Sequence, residues 1–456
     1  MRVRRLTVVL SAIAASAAVS LMSAPALAEP LHVLIPHRYA QPPTTAQCEA
    51  ATNRACYSPA QFQQAYNMKP LYQVGLTGKG KTIVLVDAFG SPTIESDLAT
   101  FDQETGLPAP PSFQIIQPDR PVPSYNPSTP DMTSWATETS LDVEYSHAMA
   151  PGANVLLVET PVDETEGVQG FPQIVQAENY VINHDLGDVI SQSFGATEET
   201  FPSPQAIFAL RGAIKNAAAH RVTVLGSSGD AGASGNELDL TDFYPFRVNS
   251  WPSTDPLVTS VGGTQLHLDQ NGFRTAPDNV WNDTALFGSP AASGGGVSAV
   301  FGRPFYQDGV RRVVDSARGT PDVSMSAAAN GGASVYMSFA GLTPAGPGWY
   351  TIGGTSEASP LFSAIVAIGD QAAGHRLGLL NPGLYALGDG PGSGIVDITR
   401  GNNTVTFTQT DTAAPDYNKT YTVRGYRAVR GYDLASGLGT ANGARLVSDL
   451  AASGRP

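Results

Sequence analysis

Short apolar runs alternate with longer segments of helical spacing from Lys81 onward. The runs are TIVLVDAFG, ANVLLVET, DVISQSFG, VTVLGSSGD and LVTSVGGT, and each ends in a polar or glycine-containing turn. Runs of this length between turn residues predict buried strands, whereas SPQAIFALRGAIKNAAAH and SPLFSAIVAIGDQAAGH place their apolar residues at helical intervals. The alternation predicts an α/β fold with a mostly parallel sheet and helices on both faces. We therefore expect the active groups to gather at the carboxyl ends of the strands.

The size of the chain fits one large catalytic domain. It has 456 residues, of which 42% are hydrophobic, and it shows neither a strong internal repeat nor a long low-complexity linker. We predict a single domain over residues 57–456 and expect it to act as a monomer. The formal net charge of −14 would repel nucleic acid and anionic membranes, which argues against both as partners.

The first 28 residues have the pattern of a secretory signal peptide. Basic residues precede an apolar run that ends in the small-residue sequence ALA. A membrane anchor is the alternative, but the small residues favour cleavage after Ala28 and a secreted product. Residues 29–56 would then form a short N-terminal segment, in which we expect Cys48 and Cys56 to form a local disulfide rather than a metal site.

A candidate nucleophile lies in the stretch YTIGGTSEASP. The pattern predicts a strand, a glycine turn, Ser356 and then a helix from Glu357 to Ala373. A serine at this place can act as a nucleophile, because the free N–H groups at a helix start can stabilise an oxyanion. Serine is also a favoured helix N-cap, and the motif alone does not separate the two interpretations.

A serine nucleophile needs a base, and the histidines do not offer one in a familiar pattern. None of the seven histidines is followed by glycine, which argues against a catalytic histidine in an H-G-T segment. His32 and His37 also precede the predicted domain. Carboxylates are the alternative. Glu138 and Asp142 are four residues apart, so on a helix they share one face and can share a proton. A solvated acidic pair has the same spacing, and we interpret the neighbouring Glu144 as solvated.

Two further aspartates end predicted strands. Asp230 closes VTVLGSSGD at a glycine-rich turn, where it would either bond its own backbone or, when protonated, donate a hydrogen bond to an oxyanion. Asp87 ends the run IVLVD, and without a histidine partner we interpret it as structural. The segment from Ser193 to Gly195 would either end a core strand or form the edge that pairs with an extended substrate.

Three of these segments, ETSLDVEYSHAMAPGA, SSGDAG and GGTSEASP, together resemble the sedolisins, a family of serine-carboxyl peptidases. The likeness covers most of the chain, from YSPAQFQQAYN to GYDLASGLG. It implies a subtilisin-like fold with Ser356 as nucleophile, Glu138 as general base, Asp142 as the residue that orients the base, and Asp230 as oxyanion donor.

The resemblance therefore implies a secreted endopeptidase that cleaves protein or peptide substrates at acidic pH through an acyl-enzyme. A catalytically silent binding protein on the same fold is the alternative hypothesis. The presence of all four residues, Ser356, Glu138, Asp142 and Asp230, favours the enzyme, because a silent relative has no reason to keep them together.

The segments VDITRGNN and RAVRGYDLASGLG resemble the calcium site near the end of the sedolisin domain. The resemblance implies one structural Ca²⁺, held by the carboxylates of Asp397 and Asp433 and by the carbonyl oxygens of Ile398, Val429 and Gly431. Such an all-oxygen set suits a hard cation. The chain departs from the family in two ways: the family usually has glycine in place of Val429, and residues 29–56 are too few to form the family's prosegment domain.

Overall fold

The structure follows the alternation of strands and helices that the apolar runs predict. It is a computed structural model, and it describes residues 32–342, 346–388 and 392–453. The predicted signal peptide, residues 1–28, lies outside the described residues. The strands are β1 (Val33–Tyr39), β2 (Cys56–Tyr57), β3 (Thr82–Ala88), β4 (Phe113–Ile116), β5 (Asn154–Thr160), β6 (Val189–Gln192), β7 (Ala196–Thr197), β8 (Thr223–Ser227), β9 (Ser250–Trp251), β10 (Thr259–Gln265), β11 (Asn279–Val280), β12 (Gly296–Gly302), β13 (Ala317–Thr320), β14 (Val323–Ser326), β15 (Gly332–Met337), β16 (Gly348–Gly353), β17 (Ile395–Val396), β18 (Val405–Thr408), β19 (Thr420–Val423) and β20 (Thr440–Ala441).

Helices connect these strands along the described chain. They are α1 (Thr45–Thr52), α2 (Pro59–Ala65), α3 (Lys69–Gln73), α4 (Ile94–Thr105), α5 (Pro130–Met149), α6 (Phe171–Asn183), α7 (Pro204–Leu210), α8 (Gly212–Ala219), α9 (Thr284–Phe287), α10 (Arg311–Val314), α11 (Thr355–Ala373), α12 (Asn381–Leu387) and α13 (Gly443–Ser453). Two 3₁₀ turns cover Glu198–Thr200 and Phe305–Val310.

An eight-stranded sheet forms the centre of the molecule. Its order is β11-β10-β8-β6-β3-β5-β4, and β14 also pairs with β10. All of these pairings are parallel except that of β11 with β10. The prediction of a mostly parallel sheet is therefore confirmed.

Both faces of this sheet are covered, as the apolar runs predict for strands that are buried on two sides. Along β3, Ile83 and Leu85 pack into a core that includes α5 and α11. The alternate residues Val84 and Val86 pack into a second core that includes α6 and α8. Helices on both faces complete the predicted α/β architecture.

Helix α5 is enclosed on every side. Each side chain from Trp135 to Met149 is buried, because the helix lies against the central sheet, α11, α4 and strand β15. The expectation that Glu144 is solvated is therefore wrong. Its side chain is fully buried and accepts a hydrogen bond from the backbone N–H of Tyr336 at 3.0 Å.

A second sheet, of order β1-β16-β15-β2, joins the N-terminal segment to the strand that precedes Ser356. β1 runs antiparallel to β16 and pairs Val33 with Gly353. The structure joins Cys48 of α1 to Cys56 of β2 in a disulfide. The segment before residue 57 is thus packed against the body of the domain.

Two helix boundaries differ from the expected ones. The segment SPQAIFALRGAIKNAAAH forms two helices, α7 and α8, which meet at Arg211. Helix α11 begins at Thr355, two residues before the expected start at Glu357, and Gly354 is its N-cap. Among the described helices, none is both long and apolar enough to cross a membrane.

Candidate active site

Ser356 lies in the first turn of α11, directly after β16. Gly354 has φ +119° and is the N-cap residue, so Ser356 is not the helix cap and that alternative interpretation is excluded. A Cβ at Gly353 would lie 2.5 Å from the carbonyl oxygen of Ala327, so the turn needs glycine there. The Ser356 side chain is buried, and its Oγ donates a hydrogen bond to the carbonyl oxygen of Ser193 at 3.3 Å.

The two carboxyl groups on α5 are buried close to this serine. Glu138 and Asp142 are fully buried, which excludes a solvated acidic pair. Ser193, whose carbonyl oxygen binds Ser356, also donates from its own Oγ to Asp142 Oδ1 at 3.0 Å. Ser193 thus connects the serine on α11 with the acidic pair on α5.

Burial is the main cause of the raised pKa of Asp142. The negative charges of Glu138 and Asp87 and a hydrogen bond with Glu138 raise the pKa further, and the hydroxyl of Ser193 partly offsets the rise. A buried carboxyl group that faces a second one ionises only when its neighbour holds the proton. The protonated form of Asp142 is therefore favoured beside Glu138.

Asp87 belongs to the same cluster, which the sequence analysis did not predict. It lies at the end of β3 and is 1% exposed. Burial, and then the charge of Glu138, raise the pKa of Asp87 well above its ordinary range, while Thr139 opposes the rise. Its position at a strand end was the available signal, since strand ends of parallel sheets meet at one edge. Asp87, which the sequence analysis interpreted as structural, thus lies within electrostatic reach of Glu138.

His32 also reaches this cluster. Its Nδ1 lies 2.7 Å from Glu138 Oε2, within hydrogen-bond distance, and its side chain is 9% exposed. The residue immediately precedes β1, whose pairing with β16 carries it to the site. Sequence reasoning set His32 aside because it precedes the predicted domain, and no local motif marks it.

Asp230 lies at the amino end of α11. Its Oδ1 accepts hydrogen bonds from the backbone N–H of Thr355 at 2.8 Å and from the Thr355 hydroxyl at 2.7 Å. These contacts place a carboxyl group beside the helix turn that carries Ser356. Asp230 is partly exposed.

The four candidate residues thus come together from three separate elements. Ser356 comes from α11, Glu138 and Asp142 from α5, and Asp230 from the turn that follows β8. Such an arrangement offers a hydroxyl nucleophile, a buried proton acceptor and an acidic donor at a helix start.

The residues expected to hold calcium lie together near the end of the chain. Asp397 Oδ2 accepts from the backbone N–H of Gly431 at 3.0 Å, and Asp433 Oδ2 accepts from that of Val429 at 2.9 Å. The other oxygen of Asp433 is bonded to three donors within residues 435–436. The described residues contain no group of three acidic, histidine or cysteine side chains that could hold a metal, so a site here would depend on carbonyl oxygens.

Comparison with known proteins places this geometry in a family. Residues 132–378 match the model of the Peptidase_S8 domain, described as the subtilase family. Kumamolisin from Bacillus sp. (strain MN-32) is 32% identical over 401 residues, which are 86% of this chain and 63% of kumamolisin. Sedolisin from Pseudomonas sp. (strain 101) is 27% identical over 413 residues, which are 90% of this chain and 64% of sedolisin. The chain therefore spans less than two thirds of the length of these two relatives.

A solved structure gives the same result for the fold. Pseudomonas sedolisin, described as a serine-carboxyl proteinase in complex with pseudo-iodotyrostatin, matches with a TM-score of 0.68 and 26% identity. The match covers 88% of this chain and 100% of that one. The chain belongs to the subtilase family and, within that fold, to the sedolisins.

Proposed function

We propose that this chain is a secreted serine-carboxyl endopeptidase that hydrolyses peptide bonds of proteins or peptides at acidic pH. The observation that carries the proposal is the link through Ser193, which connects the Ser356 hydroxyl to the buried carboxyl pair Glu138 and Asp142. The family membership and the names of the relatives support the same reaction class.

The first half of the reaction forms an acyl-enzyme. The Ser356 Oγ attacks the carbonyl carbon of the scissile bond while Glu138 accepts the hydroxyl proton. The tetrahedral intermediate then collapses, the C–N bond breaks, and the leaving amine takes the proton back from Glu138. In the second half, Glu138 accepts a proton from water, the resulting hydroxide attacks the ester, and Ser356 recovers its proton as the acid product leaves.

Asp142 positions the base and adjusts its proton affinity. A hydrogen bond joins the two carboxyl groups, and the Ser193 hydroxyl holds Asp142 from the other side. As a proton arrives on Glu138 during attack, Asp142 can redistribute charge across the pair. We therefore assign it an orienting role, with Glu138 as the group that exchanges protons with substrate.

Asp230 stabilises the oxyanion in its protonated form. It lies at the start of α11, where the helix dipole and free N–H groups also favour negative charge. A protonated carboxyl group donates a hydrogen bond to the developing oxyanion, whereas an ionised one would repel it. This requirement supports activity in acid.

The proposal includes one calcium ion near the C-terminus of the domain. Asp397 and Asp433 would hold it together with the carbonyl oxygens of Ile398, Val429 and Gly431. The donor set fits, because both carboxylates are already brought to the same loop and all ligands are oxygens. When bound, the ion would stabilise the loop, and it takes no part in the steps above. The proposal also includes export of the protein, directed by the signal peptide in residues 1–28.

The experiment that tests the proposed function is a casein digest from pH 3 to pH 8 with purified wild type and Ser356→Ala. We expect digestion in acid by wild type and none by the alanine variant. Ser363→Ala is the matched control, since Ser363 is a buried serine on the same helix that donates a hydrogen bond to the carbonyl oxygen of Pro360. If Ser356→Ala digests casein at the wild-type rate, Ser356 is not the nucleophile.

Two further variants separate the roles of the carboxyl groups. Glu138→Gln should lower turnover by about 10²- to 10⁴-fold, because an amide cannot accept the serine proton. Asp142→Asn should lower it less, since it keeps a side chain that can bond to Ser193. A wild type that folds, binds peptides and cleaves none at any pH would favour the silent binding protein instead.

A further inference from the structure

The glutamate that follows the proposed nucleophile is a buried ionisable group that the proposed reaction does not use. Glu357 lies in the first turn of α11, and its side chain is fully buried. Among the described residues, neither of its carboxyl oxygens has a hydrogen-bond partner of normal geometry. A carboxyl group in such surroundings is more stable with its proton than without it, because burial penalises the charged form.

The groups that surround Glu357 are uncharged. The Ser326 hydroxyl of β14 and the backbone at Ala333 of β15 are the polar groups that oppose the effect of burial on its pKa. Tyr145 of α5 and Tyr66, which follows α2, also face Glu357, since its negative charge raises the pKa of both tyrosines. Both tyrosines are fully buried, so this side of α11 has no access to solvent.

No cation compensates a charge on Glu357. None of the ion pairs in the described part of the chain includes this residue. Arg274 lies over the Tyr66 ring, but its Nε and Nη2 donate to Asp278 at 2.8 and 2.9 Å. Burial therefore raises the pKa of Glu357 well above its ordinary range. The amino end of a helix favours negative charge, but this effect is smaller than that of burial.

The acidic groups of the candidate active site form a separate set. The charge of Glu138 on α5 raises the pKa of Asp142 on the same helix and of Asp87 on β3. None of the three contributes to the pKa of Glu357. Glu357 can therefore titrate independently of the carboxyl pair that the proposed reaction uses.

Glu357 and Ser356 belong to the same short turn. The Gly354 N–H donates a hydrogen bond to the carbonyl oxygen of Ala327 at 2.6 Å, and the Glu357 N–H donates to the Gly354 carbonyl oxygen at 3.0 Å. Residues 354–357 are thus bonded to one another and to the strand end beside them. A movement that brings the Glu357 carboxyl group to water would therefore also displace Ser356.

We propose that Glu357 is a positioning residue, which keeps the Ser356 turn packed while it is protonated and opens that turn when it ionises. The role of Ser356 in this inference rests on the proposed peptidase function. The inference goes further because it names a residue outside the Ser-Glu-Asp arrangement that limits the working pH. Asp230 would limit the pH range through the charge beside the oxyanion, whereas Glu357 acts through the position of the nucleophile.

The direction of the pH dependence follows from the two states of the turn. In the open turn Glu357 is exposed and ionises at its ordinary pKa of 4.5, and in the closed turn burial raises its pKa. The stabilising contribution is therefore complete below about pH 4.5. Above this pH, opening becomes about tenfold more favourable per pH unit until the raised pKa of the closed turn is reached.

The experiment measures hydrogen exchange by mass spectrometry in peptides that cover residues 350–362, at pH 5 and pH 7.5, with correction for the intrinsic pH dependence of exchange. Wild type is compared with Glu357→Gln, which keeps the size of the side chain and removes its charge. Glu178→Gln is the matched control, because Glu178 is also a buried glutamate with a raised pKa but lies on α6, in the other core. Thermal melting of each protein verifies that it is folded.

We expect the protection of the turn in wild type and in Glu178→Gln to fall by at least about tenfold between pH 5 and pH 7.5. In Glu357→Gln it should fall by less than about threefold, since the amide does not titrate. Equal protection at both pH values in wild type, or the same fall in Glu357→Gln, would overturn the proposal. A purely structural role for Glu357 would lower the protection of Glu357→Gln equally at both pH values, and this result would overturn it as well.

A second measurement connects the turn to the reaction. The ratio of kcat of Glu357→Gln to kcat of wild type on one peptide substrate should rise at least about threefold from pH 4 to pH 6.5. A loss that comes from Asp230 affects both proteins alike and cancels in this ratio. A constant ratio would overturn the positioning role. Hydrogen exchange does not require proteolysis, so the expected exchange in a protein that cleaves no peptide would overturn the proposed function and leave the pH-dependent turn standing.

Discussion

His32 Nδ1 and Glu138 Oε2 are 2.7 Å apart in a site where both side chains are nearly inaccessible to solvent. The proposed base therefore has a hydrogen-bond partner that is not the proposed nucleophile. The hydroxyl of Ser356 is turned to the carbonyl oxygen of Ser193 instead. In this arrangement the N-terminal segment competes with Ser356 for Glu138.

The first prediction follows from this competition. His32→Ala should raise kcat/KM on a peptide substrate by about two- to tenfold, since displacing a hydrogen bond costs about 0.5–1.5 kcal/mol. His37→Ala is the control, because His37 lies in the same segment with an exposed side chain. Steady-state kinetics of the three proteins at one acidic pH provide the measurement. A loss of activity in His32→Ala would mean that His32 assists the base.

The second prediction concerns the oxyanion. Asp230→Asn keeps a neutral donor, so it should retain more activity than Asp230→Ala and lose less of it as the pH rises. Wild-type activity should be highest in acid and fall once Asp230 loses its proton, because an ionised carboxylate repels the developing charge. The pH profiles of kcat for the three proteins give the comparison. A maximum at neutral or alkaline pH in a folded wild type would contradict the carboxylate mechanism.

The third prediction concerns stability in acid. Burial raises the pKa of Glu178 from 4.5 to about 7, although the Gln192 amide opposes the rise. Because the pKa is raised in the folded state, its stabilising contribution is complete below about pH 4.5 and is lost as the pH rises through about 7. The shift corresponds to about 3 kcal/mol in the free energy of unfolding. Burial raises the pKa of Asp370 to about 7 as well, which acts in the same direction.

Melting curves from pH 4 to pH 8 measure this effect. Glu178→Gln should melt near wild type at pH 4 and above wild type at pH 8, since the amide carries no charge to bury. Glu95→Gln changes an exposed glutamate and should follow wild type throughout. If the Glu178→Gln curve runs parallel to wild type at all pH values, Glu178 does not titrate in this range.

The fourth prediction concerns the metal. Calcium should raise the melting temperature by mass action, because the loops that carry Asp397 and Asp433 are brought together only in the folded protein. A chelator should lower the melting temperature of wild type and leave that of Asp397→Ala unchanged. Asp411→Ala is the control, a partly exposed aspartate outside this loop cluster. If elemental analysis finds no calcium and a chelator does not change the melting curve, the protein does not hold the proposed ion.

Periodicity along the chain was sufficient to predict the layers of the fold. The five apolar runs became β3, β5, β6, β8 and β10, because strands buried on both faces leave continuous apolar sequence. The spacing of Glu138 and Asp142 also predicted one shared face of a helix. These features depend on neighbours within one element, which local sequence records.

Contacts between distant segments were not predictable in this way. His32 and Glu138 are 106 positions apart, and their contact depends on the pairing of β1 with β16. The burial of Glu144 depends on β15 lying against α5, since the helix pattern alone does not reveal how many sides are covered.

The enclosure of α5 limits how evolution or engineering could retune this protein. A helix with one solvent-exposed face has positions where a charged residue can be introduced with little loss of stability. From Trp135 to Met149 this helix has no such position. Its own residues are therefore poor places from which to change the acidity of the carboxyl pair. Adaptation to a different working pH would have to come from neighbours on other elements, such as Asp87 and Ser193, so those positions are where related enzymes with different pH ranges should diverge.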